Sequence, residues 1–347
     1  MTLTLADVSL PFRWTRASLR PLFGAVLGVV LAIGHTVGLP SPAFAQSADD
    51  PNEDAIFLLL PVGAQGVSLG RAMSWTEGVE STWWNPAGLA GLERSQAVIV
   101  RGDHTVGTAT AATALYARQG LGSFGGSYYL LDAGEFDQTD EFGNYTGTLT
   151  VRNHLGIVSA ATRLSDRVSA GVNFKIVRFQ FTCRGICTDE GTTATTYAVD
   201  LGTQFMPVDD LRLGAMVAHL GPRLQVRNAE QADPLPARVR VAAAYDLVSA
   251  LTEREDLRGW IAFEVEDRLK SLGNTSFYLG AELSAGRGDA LSLRAGHAWS
   301  QISQEDGTRV GLGLRYQRFD LAIAKSLAVS TITGETEPVH VTFAIGF

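Results

Sequence analysis

The 347-residue sequence is short of charge, histidine and cysteine, and each shortage removes a class of function. Charged residues make up 18%, against about 25% in an average soluble domain. The formal net charge is −8, so no basic surface is offered to a phosphate backbone and nucleic acid is not expected as a partner. Six histidines are scattered, none at ligand spacing from another histidine, a cysteine or a carboxylate, so no metal and no cofactor are expected. The two cysteines, Cys183 and Cys187, stand four positions apart. A small loop disulfide is the first reading and free thiols the second. Beyond residue 46 no apolar run approaches the roughly 20 residues of a helical span, although 46% of all residues are hydrophobic. The apolar residues are therefore spread out.

The one long apolar run lies at the start. Arg13, Arg16 and Arg20 precede residues 22–39. Pro40, Ser41, Pro42, Ala43, Phe44 and Ala45 follow and make a small-x-small site of the kind a signal peptidase cuts. An uncut anchor helix is the alternative, weakened by Gly24, Gly28, Gly34 and His35. No cysteine sits near the cut, so a lipoprotein start is not expected. The sequence predicts a signal peptide over 1–45 and a mature start near Gln46.

From Gln96 onward, segments of about ten residues alternate apolar with polar or small, the period-two signature of strands with two unlike faces. In the last segment Val339, Val341, Phe343, Ile345 and Phe347 share one face and His340, Thr342, Ala344 and Gly346 the other. Val239, Val241, Ala243 and Tyr245 likewise oppose Arg238, Arg240, Ala242 and Ala244. The charges Arg238, Arg240, Glu264, Glu266, Glu282, Arg294 and Arg315 all fall opposite the apolar residues. In a soluble sandwich that side would meet water; in a membrane barrel the apolar side meets lipid and the charges line a lumen.

The connections decide between these. Joints near His104, at 132–148, 180–194, 221–235, 268–274, 300–307 and 328–338 are mostly long and polar, while the alternate joints are tight. Long loops at one end and short turns at the other characterise outer-membrane barrels. An open edge in hydrocarbon would leave backbone groups unpaired at several kcal/mol each, so the sheet must close. The expectation is an all-β fold, a transmembrane antiparallel β-barrel of about 14 strands over 95–347. The link 248–258 breaks the rule, and we read it as an excursion carrying a short helix.

Residues 46–94 do not alternate. They hold VGAQGVSLGRA at 62–72 and WWNPAGL at 83–89. These stretches resemble the N-terminal signature of the FadL-like outer-membrane barrels, closest to their PorV/PorQ branch. The segments LRAGHAW and GLGLRYQRFDLAIAKS near the C-terminus resemble the same branch. The resemblance implies a barrel plugged by an N-terminal hatch, with Trp84, Asn85, Pro86, Ala87 and Gly88 carrying the hatch motif. On physical grounds proline pushes Asn85 out of the helical region and Gly88 is free to turn left-handed, so a sharp fixed turn is expected. That turn can be a rigid structural element or a ligand contact. The terminal Phe347 resembles the C-terminal assembly signal of outer-membrane proteins, which implies the barrel assembly machinery and outer-membrane lipid as partners.

No catalytic constellation stands out. Residues 122–126 hold Ser123 between glycines, but inside an alternating strand, and Gly311-x-Gly313 lacks a following helix. A non-enzymatic outer-membrane protein is expected. The resemblance implies transport of hydrophobic or amphipathic small molecules; the alternative is a component of a type IX-related secretion system that binds exported proteins.

Overall fold

A computed structural model describes residues 52–118, 120–186, 191–225, 232–252, 254, 256–300, 306–327 and 339–347. The signal peptide and Cys187 lie outside these residues. Fourteen antiparallel strands close into a barrel, each paired with its neighbours in chain order. They are β1 Gln96–His104, β2 Gly107–Arg118, β3 Gly122–Thr139, β4 Tyr145–Ser165, β5 Val168–Gly185, β6 Gly191–Val208 and β7 Leu211–Leu220, then β8 Arg238–Asp246, β9 Leu257–Arg268, β10 Ser276–Ala285, β11 Ala290–Trp299, β12 Gly307–Tyr316, β13 Phe319–Ser326 and β14 Val339–Gly346. Closure is made by β1 on β14, from Gln96 opposite Gly346 to Gly102 opposite His340. The backbone N–H of Phe347 adds a bond to the Ser95 carbonyl at 2.9 Å, so the final residue ties the seam. No sheet edge is left open, which removes the cost that hydrocarbon would impose on one.

The alternation reads out as expected. Leu279, Leu283, Leu291, Leu293, Leu312, Leu314, Ile323 and Phe343 stand exposed on the outer wall, while Arg238, Arg240, Glu264, Glu266 and Tyr278 are buried on the inner one. So continuous an apolar band is incompatible with a surface facing water.

Three connections differ from expectation. β1 and β2 are joined by only Thr105 and Val106, a tight turn among the long loops. The joints expected at 132–148 and 180–194 are largely strand: β3, β5 and β6 run 18 residues and β4 runs 21, against 8 for β13 and β14. These hairpins rise past the apolar band, where both faces are wet and alternation no longer marks a strand. The 248–258 link does hold a helix, α3 Leu247–Leu251, capped by the Asp246 carboxylate on the Ser249 N–H.

Residues 52–94 fill the lumen. They contain a 3₁₀ turn Ile56–Leu59, helices α1 Ala64–Ser68 and α2 Ser81–Trp84, and a second 3₁₀ turn Pro86–Gly91. The plug threads the barrel lengthwise. Glu53 grips Arg238, at the long-loop end of β8, with two bonds of 2.7 Å. Arg94 donates to the Gln317 carbonyl at the short-turn end. Leu224 and Leu235, in the described parts 221–225 and 232–237 of the connection after β7, are buried beside Phe57, Tyr129 and Val177.

Candidate functional site: the plugged lumen

Short helices and 3₁₀ turns have weak cohesion of their own, so this plug is held by what the wall supplies. Glu264 on β9 is fully buried and its carboxyl oxygens accept from the Met73 N–H at 2.7 Å, the Ser74 N–H at 2.8 Å and the Ser74 hydroxyl at 2.8 Å. Gln204 on β6 donates to the Ser74 and Thr76 carbonyls. Within the plug, Glu80 accepts from the Gly66 N–H at 3.0 Å and the Gln65 N–H at 3.3 Å, and from the Thr342 hydroxyl at 2.8 Å. Thr342 in turn accepts the Ala64 N–H. Burial pushes the Glu80 carboxyl above the usual carboxylate value, against the lowering pull of those bonds.

The hatch-motif residues bond to the rest of the plug and to the wall. Asn85 is extended at φ −150°, as a residue before proline should be, and its side-chain oxygen caps the Ala87 N–H at 3.1 Å. Its amide group donates to the Ser74 carbonyl at 2.7 Å and to the Thr203 carbonyl of β6 at 3.1 Å. Pro86 occupies the first position of the 3₁₀ turn, where its missing N–H costs nothing. Gly88 is not left-handed, contrary to the sequence expectation. It is needed for space, since a Cβ there would stand 2.1 Å from the Thr76 carbonyl oxygen. The wall yields in the same way at Gly171, where a Cβ would stand 2.3 Å from the Pro86 carbonyl carbon. Trp84 donates its indole N–H to the Val62 carbonyl and carries the Arg240 guanidinium 5.0 Å over its ring.

The charges expected to form one lumenal ladder separate into three groups. Arg238, Arg240, Glu264 and Glu266 do assemble: Arg240 lies 2.7 Å from Glu266 and 3.1 Å from Glu264. Glu282 and Arg294 make a pair of their own across β10 and β11. Arg315 is exposed at the short-turn end and pairs with Asp320. The barrel's curvature, invisible in a linear pattern, spaces them around the wall. Sequence reasoning missed a fourth group, in which Lys175 lies 2.6 Å from Asp200 and 3.2 Å from His219. All three residues are buried, and Asn173 links Asp200 to the Thr82 carbonyl. The alternation of Asn173 and Lys175 against Val172, Phe174 and Ile176 was the available signal.

Between plug and wall lies a cavity of about 40 Å³. Leu58, Leu60, Val62, Trp83, Leu155 and Met216 supply its apolar lining, with Arg71, Lys175, Arg238, Arg240 and Glu266 at its polar edge. Of the hatch motif only Trp84 reaches it. Such a space holds a few waters, whereas a cavity for one benzene needs about 150 Å³. This space is thus too small for such a ligand in this state. Among the described residues no three His, Cys, Asp or Glu side chains are grouped to hold a metal ion. Cys183 lies near the far end of β5.

No protein-family profile and no curated protein matches the sequence. Solved structures do match over nearly their full length. The Ralstonia pickettii toluene transporter TbuX is 12% identical with a TM-score of 0.56, covering 82% of this chain and 98% of its own. A Pseudomonas aeruginosa FadL homologue is 11% identical with a TM-score of 0.50, covering 83% and 99%. The Pseudomonas putida toluene transporter TodX is 12% identical with a TM-score of 0.50, covering 81% and 96%. At this identity the likeness is one of fold. The chain is a closed 14-stranded transmembrane β-barrel with the architecture of FadL-type outer-membrane barrels.

Proposed function

We propose that this protein is a plugged outer-membrane channel for hydrophobic or amphipathic small molecules. The carrying observation is the cavity, lined by apolar and charged side chains alike, between a separately anchored plug and the barrel wall. Structural neighbours named as toluene transporters support the same reading. A signal peptide over 1–45 delivers the chain to the periplasm, 46–94 acts as the hatch and 95–347 as the barrel. Phe347 serves the barrel assembly machinery, and Cys183 with Cys187 closes a surface loop as a disulfide. Because the resting cavity is smaller than one benzene, passage requires the plug to shift. The test is uptake by cells whose lipopolysaccharide leaflet slows apolar solutes. Cells making the protein should accumulate toluene several-fold faster while uptake of a sugar of equal size stays unchanged. Equal rates with and without the protein would end the proposal.

A second reading, an exported-protein receptor of the PorV type, draws on the motif resemblance and on the tall β3–β6 hairpins, whose tips expose Phe142 and Ile186. A stoichiometric exported protein copurifying with the barrel, and lost with residues 140–144 deleted, would support it.

A further inference from the structure

The outer wall changes character along one line across β3 to β6. Strand pairing sets Tyr128, Gly156, Ile176 and Tyr197 in one row, and Leu130, His154, Arg178 and Thr195 in the next row toward the long loops. In the first row Tyr128, Ile176 and Tyr197 stand exposed, and so do Val158 and Phe174 one row further toward the short turns. This is an apolar band with tyrosines at its rim, as the lipid interface of a membrane barrel requires. A Cβ at Gly156 would meet no atom within 4 Å, so the wall is recessed there, between Tyr128 and Ile176.

Just beyond that band the outer face turns basic. Arg178 is exposed and, by strand alternation, shares the outer face with Phe174 and Ile176. Arg152 on β4 is its diagonal neighbour, about 7–8 Å away by strand geometry. Its side chain is 47% exposed and lies 2.9 Å from Asp132. The Tyr128 hydroxyl meets the His154 Nδ1 at 2.6 Å, so these two groups engage one another. Arg178 has neither a hydrogen-bond nor an ion-pair partner among the described residues. With Arg152 offset by Asp132, the patch keeps one uncompensated positive charge. The further charges of this face, Glu135 and Asp137 on β3 and Arg184 on β5, lie in rows nearer the hairpin tips. A guanidinium presents paired N–H donors that match phosphate oxygens. A free phosphate ion would leave the recess at Gly156 unused, whereas a phosphorylated lipid meets the cation and the apolar band together.

We propose that Arg178 and Arg152 bind a phosphate of an outer-leaflet glycolipid, whose acyl chains lie over the Gly156 recess and the apolar rows beside it. The inference rests on the outer-membrane placement and is independent of what the lumen carries. Native mass spectrometry of the detergent-solubilised mature protein, titrated with diphosphoryl lipid A and with lipid A stripped of its phosphates, provides the test. The intact protein should bind the diphosphoryl form at least about tenfold more tightly than the stripped form. Arg178→Gln should weaken the diphosphoryl form about tenfold, the size of one hydrogen bond to a charged group, and Arg178→Lys should weaken it less. Lys325→Gln, at an exposed position on β13, is the control and should leave binding unchanged. Inorganic phosphate at the same concentration as the lipid should displace none of it. Unchanged migration of the unheated variants on a gel checks that each barrel is folded. Equal affinity of the intact protein and Arg178→Gln, equal binding of the two lipid forms, or displacement by inorganic phosphate would overturn the inference. None of these results bears on toluene uptake, so the transport reading stands or falls separately.

Discussion

Replacing Glu264 by alanine should undock the plug without opening the barrel. The carboxyl group of Glu264 is the acceptor for two backbone N–H groups, those of Met73 and Ser74, at 2.7 and 2.8 Å. Both lie in a region the wall seals from water. A buried donor deprived of its partner costs about 1–3 kcal/mol, so two cost about 2–6 kcal/mol. Arg240 retains Glu266 at 2.7 Å, which limits the charge imbalance. Even the lower figure corresponds to a roughly 30-fold shift in the docking equilibrium. Hydrogen exchange read by mass spectrometry should show amides around 70–78 exchanging at least about 30-fold faster, while β5 stays protected. Unchanged migration of the unheated protein on a gel checks that the barrel itself remains folded. Protection at Met73 and Ser74 that stays within threefold of the intact protein would refute the claim that this carboxyl group anchors the plug.

Two further outcomes follow from the same anchors. Glu80 is held above its ordinary value of 4.5 by burial. Between that value and its raised folded one, the undocked plug has already released the proton that the docked plug keeps, so docking weakens as pH climbs from about 4.5 and is strongest below it. Protease protection of 52–94 measured from pH 4 to 8 should fall accordingly, and Glu80→Gln should flatten the profile; a rise with pH would contradict the sign. Gly171→Ala places a Cβ against the Pro86 backbone and should cost about 1–3 kcal/mol in plug docking. Gly156→Ala, with no atom within 4 Å of the added Cβ, is the control and should change nothing in the same protection assay.

Much of the barrel was legible because side-chain direction in a strand is a local property. Arg238 and Arg240 had to face away from Val239 and Val241 whatever the rest of the chain did. The helix in 248–258 was legible for a similar reason, as a charged link too long for a turn. The extension of β3 to β6 was not, because alternation marks a strand only where its two faces meet different solvents. The hatch motif was visible as a motif, but its reason was misassigned at Gly88. That glycine gives room to the Thr76 carbonyl, a neighbour 12 positions away, and turning left-handed is not its task.

Taken alone, then, the sequence determined the closed antiparallel sheet, its apolar outer face, its long and short ends and the presence of a non-alternating segment before β1. Each follows from periodicity and from the cost of unpaired backbone in hydrocarbon. Only the tertiary structure decided that the segment threads the lumen, that Glu264 and Asn85 hold it to the wall, and that Lys175 meets Asp200 and His219. These depend on which strands curve to face which part of the plug. Residues such as Met73 and Glu264, 191 positions apart, are brought together only when the barrel closes around its own N-terminal segment.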